Sequence, residues 1–149
     1  MPPPVSSIRA QPEASGRARW ERFGELGSLQ PLTGTIASRG HGTGEWLAQV
    51  RANAAAATAV SALARGASMP AGSLLVQLHT DKRTGSPSEG FFMEKREPGY
   101  FPAGGDWDWG VIGADGLVEH RGKLEFCARC HAEAAADFVF PAPDKQDKK

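Results

Sequence analysis

Only two cysteines occur among the 149 residues, and this scarcity excludes the disulfide-dense class of small secreted domains. No charge surplus is present either, because 17 Lys and Arg residues balance 17 Asp and Glu residues. A nucleic-acid-binding protein needs a basic surplus to displace counterions, so we expect no nucleic-acid partner. No apolar run approaches the ~20 residues that cross a bilayer, so we expect no membrane span.

Glycine and proline, in contrast, are abundant at 18 and 11 residues, and only 40% of the chain is hydrophobic. This composition predicts loops or tails beside one folded domain. Residues 1–18, rich in Pro, Ser, Ala and Arg, are predicted to form a flexible leader, and 144–149 a charged tail. The folded domain is expected over residues 19–143. The leader lacks the apolar segment of a signal peptide, so either the protein is cytoplasmic or an export signal has been removed.

Helical signals are few. The alanine-rich segment Asn53–Arg65 gives the strongest one, because alanine has the highest helix propensity. Asn53 is predicted to be its N-cap and Gly66 the residue that ends it. A second, shorter helix is predicted over Arg19–Leu26.

Strand signals dominate the middle of the chain. Strands are predicted over Glu45–Ala52, Ser73–Thr80, Phe91–Arg96 and Trp107–Ile112. Alternation along the second of these separates Leu74, Val76 and Leu78 from Leu75, Gln77 and His79, which share the other face. The last three strands follow one another through loops, including one over Asp81–Gly90, without intervening helices. This order predicts an α+β domain with a predominantly antiparallel sheet and a few helices.

Both cysteines lie in a single C-x-x-C-H motif, formed by Cys127, Cys130 and His131. A thioredoxin-like redox pair would need a parallel sheet around it, and the sheet predicted here is antiparallel. A zinc site would need a fourth ligand, which His41, His79 or His120 could supply, although none has paired spacing. The cysteines and the histidine could also be structural residues that fell together by accident.

Covalent attachment of a c-type haem is the interpretation that uses all three residues. Residues three apart on a helical turn project the same way, so the thiols of Cys127 and Cys130 can both reach one edge of a porphyrin. His131 would then be the proximal iron ligand. Met93 and His79 are the candidates for a sixth ligand, but neither stands out. We therefore expect five-coordinate iron with an open distal side.

From Pro70 onward the chain resembles the cytochrome P-460 / cytochrome c′-beta family. The matching elements are Pro70-Ala71-Gly72, Met93-Glu94-Lys95-Arg96, Gly104-Gly105-Asp106-Trp107, Ala114-Asp115-Gly116, the C-x-x-C-H motif and Asp137-Phe138-Val139-Phe140. The resemblance implies one covalently attached haem packed against an antiparallel sheet near this C-terminal motif, usually in a homodimer. It also implies an exported, periplasmic protein whose leader has been removed.

Relatives in this family have two activities. The P-460 branch oxidises hydroxylamine with a haem cross-linked to a lysine and with a distal carboxylate, whereas the c′-beta branch binds nitric oxide behind a hydrophobic cap. The resemblance aligns Gln77 with the lysine and Phe91 with the carboxylate, and Glu89 or Glu94 is the alternative acid. Lys82 and Lys95, the other lysines considered, are interpreted as solvated.

These matches predict a distal pocket formed by Leu75, Gln77, His79, Phe91 and Met93, with Phe92 considered as a further apolar wall residue. An apolar wall favours nitric oxide or carbon monoxide, which need no hydrogen bond. We therefore expect a gas-binding cytochrome. The alternatives are an oxidoreductase acting on hydroxylamine or nitric oxide, a simple electron carrier that serves a partner cytochrome, and a domain without haem.

Overall fold

The computed structural model describes residues 17–141, in which seven strands form one antiparallel sheet. The strands are β1 (Gln30–Pro31), β2 (Ile36–Ala37), β3 (Leu47–Ala52), β4 (Leu74–Thr80), β5 (Pro87–Lys95), β6 (Trp107–Ile112) and β7 (Val118–Gly122). Their order in the sheet is β1-β3-β4-β5-β6-β7, and β2 also pairs with β3. The predicted α+β class with a mostly antiparallel sheet is confirmed.

The predicted strands are all present, but one boundary differs substantially. β6 coincides with its prediction, whereas β5 begins at Pro87, four residues before Phe91. The loop between β4 and β5 is short because the Asp81 carboxylate accepts hydrogen bonds from the amides of Arg83 and Thr84 at 2.7 and 3.0 Å. This compact turn lets the chain re-enter the sheet early.

Helices are few and short. Helix α1 spans Ala54–Val60, and the Asn53 side chain caps it by accepting a hydrogen bond from the Ala56 amide, as predicted. The helix ends before Arg65, and a separate 3-10 turn over Leu63–Arg65 precedes Gly66, whose φ is 90°. The helix predicted over Arg19–Leu26 is instead a 3-10 turn over Phe23–Ser28. Helix α2 spans Glu125–His131.

The two faces of the sheet carry separate hydrophobic clusters, as the alternation in β4 predicted. Leu74 and Val76 pack with Trp20 and Phe92, and the Phe92 ring stacks on Trp20 at a centroid distance of 4.3 Å. Phe92 therefore lies on the face opposite Leu75 and does not form part of a wall with it. The second cluster contains Leu75, Met93, Trp107 and Trp109 and receives helix α2 through Ala128.

The first described residues already contact strand β7. The amide of Val118 donates to the carbonyl of Ala18, so pairing with β7 starts there. The charged tail over 144–149 and all but the last two residues of the leader over 1–18 lie outside the described residues. None of the helices within residues 17–141 has the length and hydrophobicity of a membrane span.

Candidate functional site

Helix α2 presents the C-x-x-C-H motif at the edge of the second hydrophobic cluster. Cys127 is half-buried and packs against that cluster, whereas Cys130 is exposed. Both thiols are free in the structure. Because the two residues are three apart on one helix, their side chains project from the same side of it.

The imidazole of His131 is held in one orientation. Its Nδ1 donates a hydrogen bond to the Phe138 carbonyl at 2.9 Å, and a carbonyl can only accept, so Nδ1 carries the proton. Burial lowers the pKa of His131, which favours the neutral ring. The unprotonated Nε2 is therefore the nitrogen left for a ligand, and the Trp109 ring lies alongside at a centroid distance of 4.8 Å.

The segment that provides this carbonyl is itself anchored to the sheet. Asp137 and Phe138 adopt positive φ angles of 49° and 63°, and the Asp137 carboxylate accepts from the Met69 amide and from the Lys95 ammonium. The interpretation of Lys95 as a solvated lysine is therefore wrong, because its side chain is largely withdrawn from solvent in this ion pair. Lys82 is exposed, as expected, and donates to a loop carbonyl.

All five residues predicted for the distal pocket share one face of the sheet. Leu75 pairs with Met93 across β4 and β5, and Gln77 pairs with Phe91. Leu75, Met93 and His79 are buried, whereas Gln77 and Phe91 are half-exposed. The side chains of Leu75 and Met93 fill the core. The side chains of Gln77, His79 and Phe91 lie together on the surface of the sheet.

His41 completes this group, and the sequence had suggested it only as a zinc ligand. Its ring stacks on Phe91 at a centroid distance of 4.0 Å, and its Nδ1 donates to Gln77 Oε1 at 2.9 Å. His79 Nε2 donates to the same oxygen at 2.8 Å. Burial, with a smaller effect of His41, lowers the pKa of His79 to about 4, so its ring is neutral. The one sequence signal that could have pointed here is the position of His41 inside the glycine-rich turn Gly40–Gly44.

Neither alternative acid occupies the position beside Gln77. Glu94 lies on the opposite face, where it accepts from Arg22 at 3.1 Å. Glu89 is exposed and shares a hydrogen bond with Glu119, and the burial of Glu119 raises the pKa of its carboxyl group. The aromatic ring of Phe91 is the side chain that faces Gln77 across the strands.

The zinc and redox interpretations of the motif find little support. In the part of the chain that the structure describes, no three or more His, Cys, Asp or Glu side chains form a group that could hold a metal ion. Burial, and then the neighbouring Cys130, raise the pKa of Cys127, whereas a redox nucleophile needs a lowered thiol pKa. The surrounding sheet is antiparallel.

The donors that remain fit a haem. Two thiols on one side of a helix suit covalent attachment, and the neutral imidazole of His131 next to them suits the iron. Trp109 adds a further feature, because its buried Nε1 has no hydrogen-bond partner within residues 17–141. A buried donor without a partner costs free energy, and a bound group with carboxylates would satisfy it.

Comparison with known protein families gives one match. The family model described as Cytochrome P460 matches residues 35–141, which is most of the chain. The matched region includes the glycine-rich turn around His41, strands β2 to β7 and helix α2. A search of curated proteins found no significant match.

Proposed function

The chain belongs to the cytochrome P460 family, and from this membership we propose that it is a mono-haem c-type cytochrome that binds a small ligand, nitric oxide in particular. The observation that carries the proposal is the fixed tautomer of His131, which leaves Nε2 free beside two thiols of the same helix. When bound, the haem would supply an iron that can take up a diatomic gas.

Cys127 and Cys130 attach the haem in this proposal. Each thiol would add across one vinyl group of the haem, with a sulfur–carbon bond formed and the thiol hydrogen passed to the neighbouring carbon. The addition needs no oxidant. Cys127 would hold the haem from a half-buried position against the core, and Cys130 from an exposed one.

His131 provides the proximal ligand. Its hydrogen bond to Phe138 increases the basicity of the ring and fixes its direction, as second-shell acceptors do for other metal-bound histidines. The positive φ angles at Asp137 and Phe138 turn the carbonyl toward the helix.

The opposite side is shaped by Leu75, Gln77, His79, Phe91 and Met93. Phe91 offers an apolar surface and cannot accept a proton, and Gln77 has no amine with which to form a cross-link. An apolar wall excludes water and favours nitric oxide or carbon monoxide over substrates that need acid–base help. The iron would be five-coordinate if no side chain of this face bound it.

An absorption series on the haem-loaded protein tests the proposal. Spectra of the ferric, ferrous and ferrous nitric oxide forms, with a pyridine haemochrome of the denatured protein, are expected to report one ordinary c-type haem that binds nitric oxide. An anomalous haemochrome would instead indicate a lysine bonded to the ring, and the hydroxylamine-oxidising alternative would replace the proposal. A ferrous form that ignores nitric oxide would favour an electron carrier with Met93 or His79 as the sixth ligand.

The proposed location and partners of the protein also follow from its family. Members of this family receive their haem outside the cytoplasm, so we infer that the protein is exported to the periplasm and acts with a partner cytochrome. Exposed Phe126, beside the motif, and Phe140 supply apolar surface of the kind that a second subunit covers, which supports a homodimer.

A further inference from the structure

We propose that His41 is a second axial ligand of the haem iron, carried on a glycine-rich loop that closes the distal side until a small ligand displaces it. The inference rests on the proposed function, because it concerns the same haem. The loop would control whether the sixth coordination position of the iron is available to a ligand.

The loop is a built structure rather than a random connection. It joins β2 to β3 and folds around Ser38, whose side chain is buried. The Ser38 hydroxyl donates to the Gly42 carbonyl at 2.7 Å and accepts from the Trp46 amide at 3.2 Å. The Ser38 carbonyl accepts from the Gly44 amide at 2.8 Å. These bonds hold the tip of the loop, with His41, over β4 and β5.

His41 is kept in a backbone conformation that disfavours it. Its φ is 47°, between Gly40 at 70° and Gly42 at 84°. Glycine adopts such angles freely, whereas a residue with a Cβ atom is strained there. Strain of this kind is retained where the side chain has a task. Here that side chain is the imidazole of His41, at the tip of the loop.

The contacts of His41 leave one nitrogen available. Nδ1 donates to Gln77 Oε1, and the face of the ring lies on Phe91 with an interplanar angle of 6°. A neutral imidazole protonated at Nδ1 has its lone pair on Nε2. His79, the other histidine nearby, uses its Nε2 to donate to Gln77, so the lone pair that would bind a metal is absent from that atom.

His41 also lies at the right distance from the proximal side. The ring centroids of His41 and His131 are 6.2 Å apart with an interplanar angle of 30°. A bond from an imidazole nitrogen to a metal is roughly 2 Å, so two rings that share one ion end to end have centroids about 6 Å apart. Both rings keep a free Nε2. The separation of the two rings therefore matches that of a bis-histidine site.

Closing the loop would form one coordinate bond from the His41 lone pair to iron, with no change of oxidation state. Nitric oxide would bind only after that bond breaks. Because the apparent affinity falls with the fraction of molecules that are open, a state closed nine-tenths of the time slows binding by about tenfold. The loop would thus set the rate of nitric oxide binding without contacting the nitric oxide.

Spin state provides the test, measured by electron paramagnetic resonance and absorption on ferric, haem-loaded protein. We expect the wild type to contain a low-spin six-coordinate fraction that His41→Ala converts to high spin. His41→Met offers iron another ligand and is expected to restore low spin, which a purely structural role would not produce. His120→Ala, an exposed histidine on β7, is the matched control and is expected to leave the spectrum unchanged.

Stopped-flow mixing of the ferrous proteins with nitric oxide adds a second measurement. We expect binding to His41→Ala to be about tenfold faster than to the wild type. A wild type that is fully high-spin, with a spectrum and binding rate equal to those of His41→Ala, would overturn the proposal. A normal pyridine haemochrome in every variant separates that result from a failure of haem attachment, which would overturn the proposed function instead.

Discussion

Lys95 and Asp137 form a nearly buried ion pair, with Nζ at 2.7 and 2.9 Å from the two carboxylate oxygens. The two side chains are only 11% and 10% exposed. The pair ties the segment after helix α2 to the end of β5, and the next residue, Phe138, supplies the carbonyl that orients His131. An ionic contact 42 residues apart in sequence thus positions the proposed proximal ligand.

Replacing the lysine of this pair is expected to cost stability and to loosen His131. Lys95→Met leaves the Asp137 carboxylate buried without its cation, a change that costs about 3 kcal/mol in the free energy of unfolding. Denaturant unfolding of the haem-loaded protein measures that loss. The reduction potential is expected to change as well, because the hydrogen bond that tunes the imidazole is no longer fixed.

The matched control for that variant is Lys82→Met, since Lys82 is exposed and donates only to a loop carbonyl. It is expected to stay within about 0.5 kcal/mol of the wild type. Equal stability and equal potential of the two variants would contradict a positioning role for Lys95.

Trp109 yields a prediction that depends on its unpartnered indole N–H. If that group donates to a haem carboxylate, Trp109→Phe removes a hydrogen bond that offsets negative charge near the iron. The oxidised haem then becomes relatively more stable, and the reduction potential is expected to fall. A redox titration followed by absorption measures the shift.

Trp20→Phe provides the comparison, because Trp20 Nε1 is also buried without a partner within residues 17–141 but lies in the cluster on the opposite face. Removing the indole N–H of Trp20 is expected to leave the reduction potential unchanged. A potential that moves equally in both variants would mean that packing, and not the indole donor, is responsible.

Gln77 allows the two branches of the family to be compared in one position. Gln77→Lys places an amine at the position that the resemblance aligns with the cross-linking lysine of the P-460 branch. Bond formation between that nitrogen and a ring carbon removes two hydrogens, so a two-electron oxidant is required, and hydrogen peroxide can supply it. After peroxide treatment, the haemochrome of this variant is expected to become anomalous.

Gln77→Met removes the same amide without adding an amine, and its haemochrome is expected to stay ordinary after peroxide. An ordinary haemochrome in the lysine variant as well would show that position 77 does not face the reactive carbon, and the alignment of β4 with the family would need to shift.

Short-range patterns explain which parts of the site were predictable. Alternation along β4 placed Leu75, Gln77 and His79 on one face, and the C-x-x-C-H spacing defined the motif, because both depend on neighbours in sequence. The contact of His41 with Gln77 spans 36 residues and depends on the folding of a loop around buried Ser38, which no periodicity encodes.

The missed strands have a similar explanation. β1 and β2 contain two residues each, too few for alternation to appear, and Pro31 is a poor strand residue. β7 reads Val-Glu-His-Arg-Gly and lies at an edge of the sheet, so it has no apolar face that would reveal it. Pairing with a longer neighbour, rather than its own pattern, makes each of these segments a strand.

Acid stability provides a prediction independent of the haem. The Arg121 guanidinium donates two hydrogen bonds of 2.8 Å to the Glu21 carboxylate and lowers its pKa from the ordinary value of 4.5 to about 2. The unfolded chain binds a proton at Glu21 near pH 4.5, whereas the folded chain does so only near pH 2. The contribution of this pair is therefore fully present above about pH 4.5 and disappears as the pH falls toward 2.

Glu21→Gln is accordingly expected to be less stable than the wild type at neutral pH and equal to it near pH 2. Chemical denaturation across that range measures the difference, and exposed Glu97, changed to Gln, is the control whose difference from the wild type is expected to stay flat. Because Glu21 is 60% exposed, solvent screens the pair and the neutral-pH difference is small. If the free energies of unfolding of the wild type and Glu21→Gln differ by the same amount down to pH 2, the ionised Glu21 adds nothing. Arg121 is then held by Asp108, at 3.2 Å.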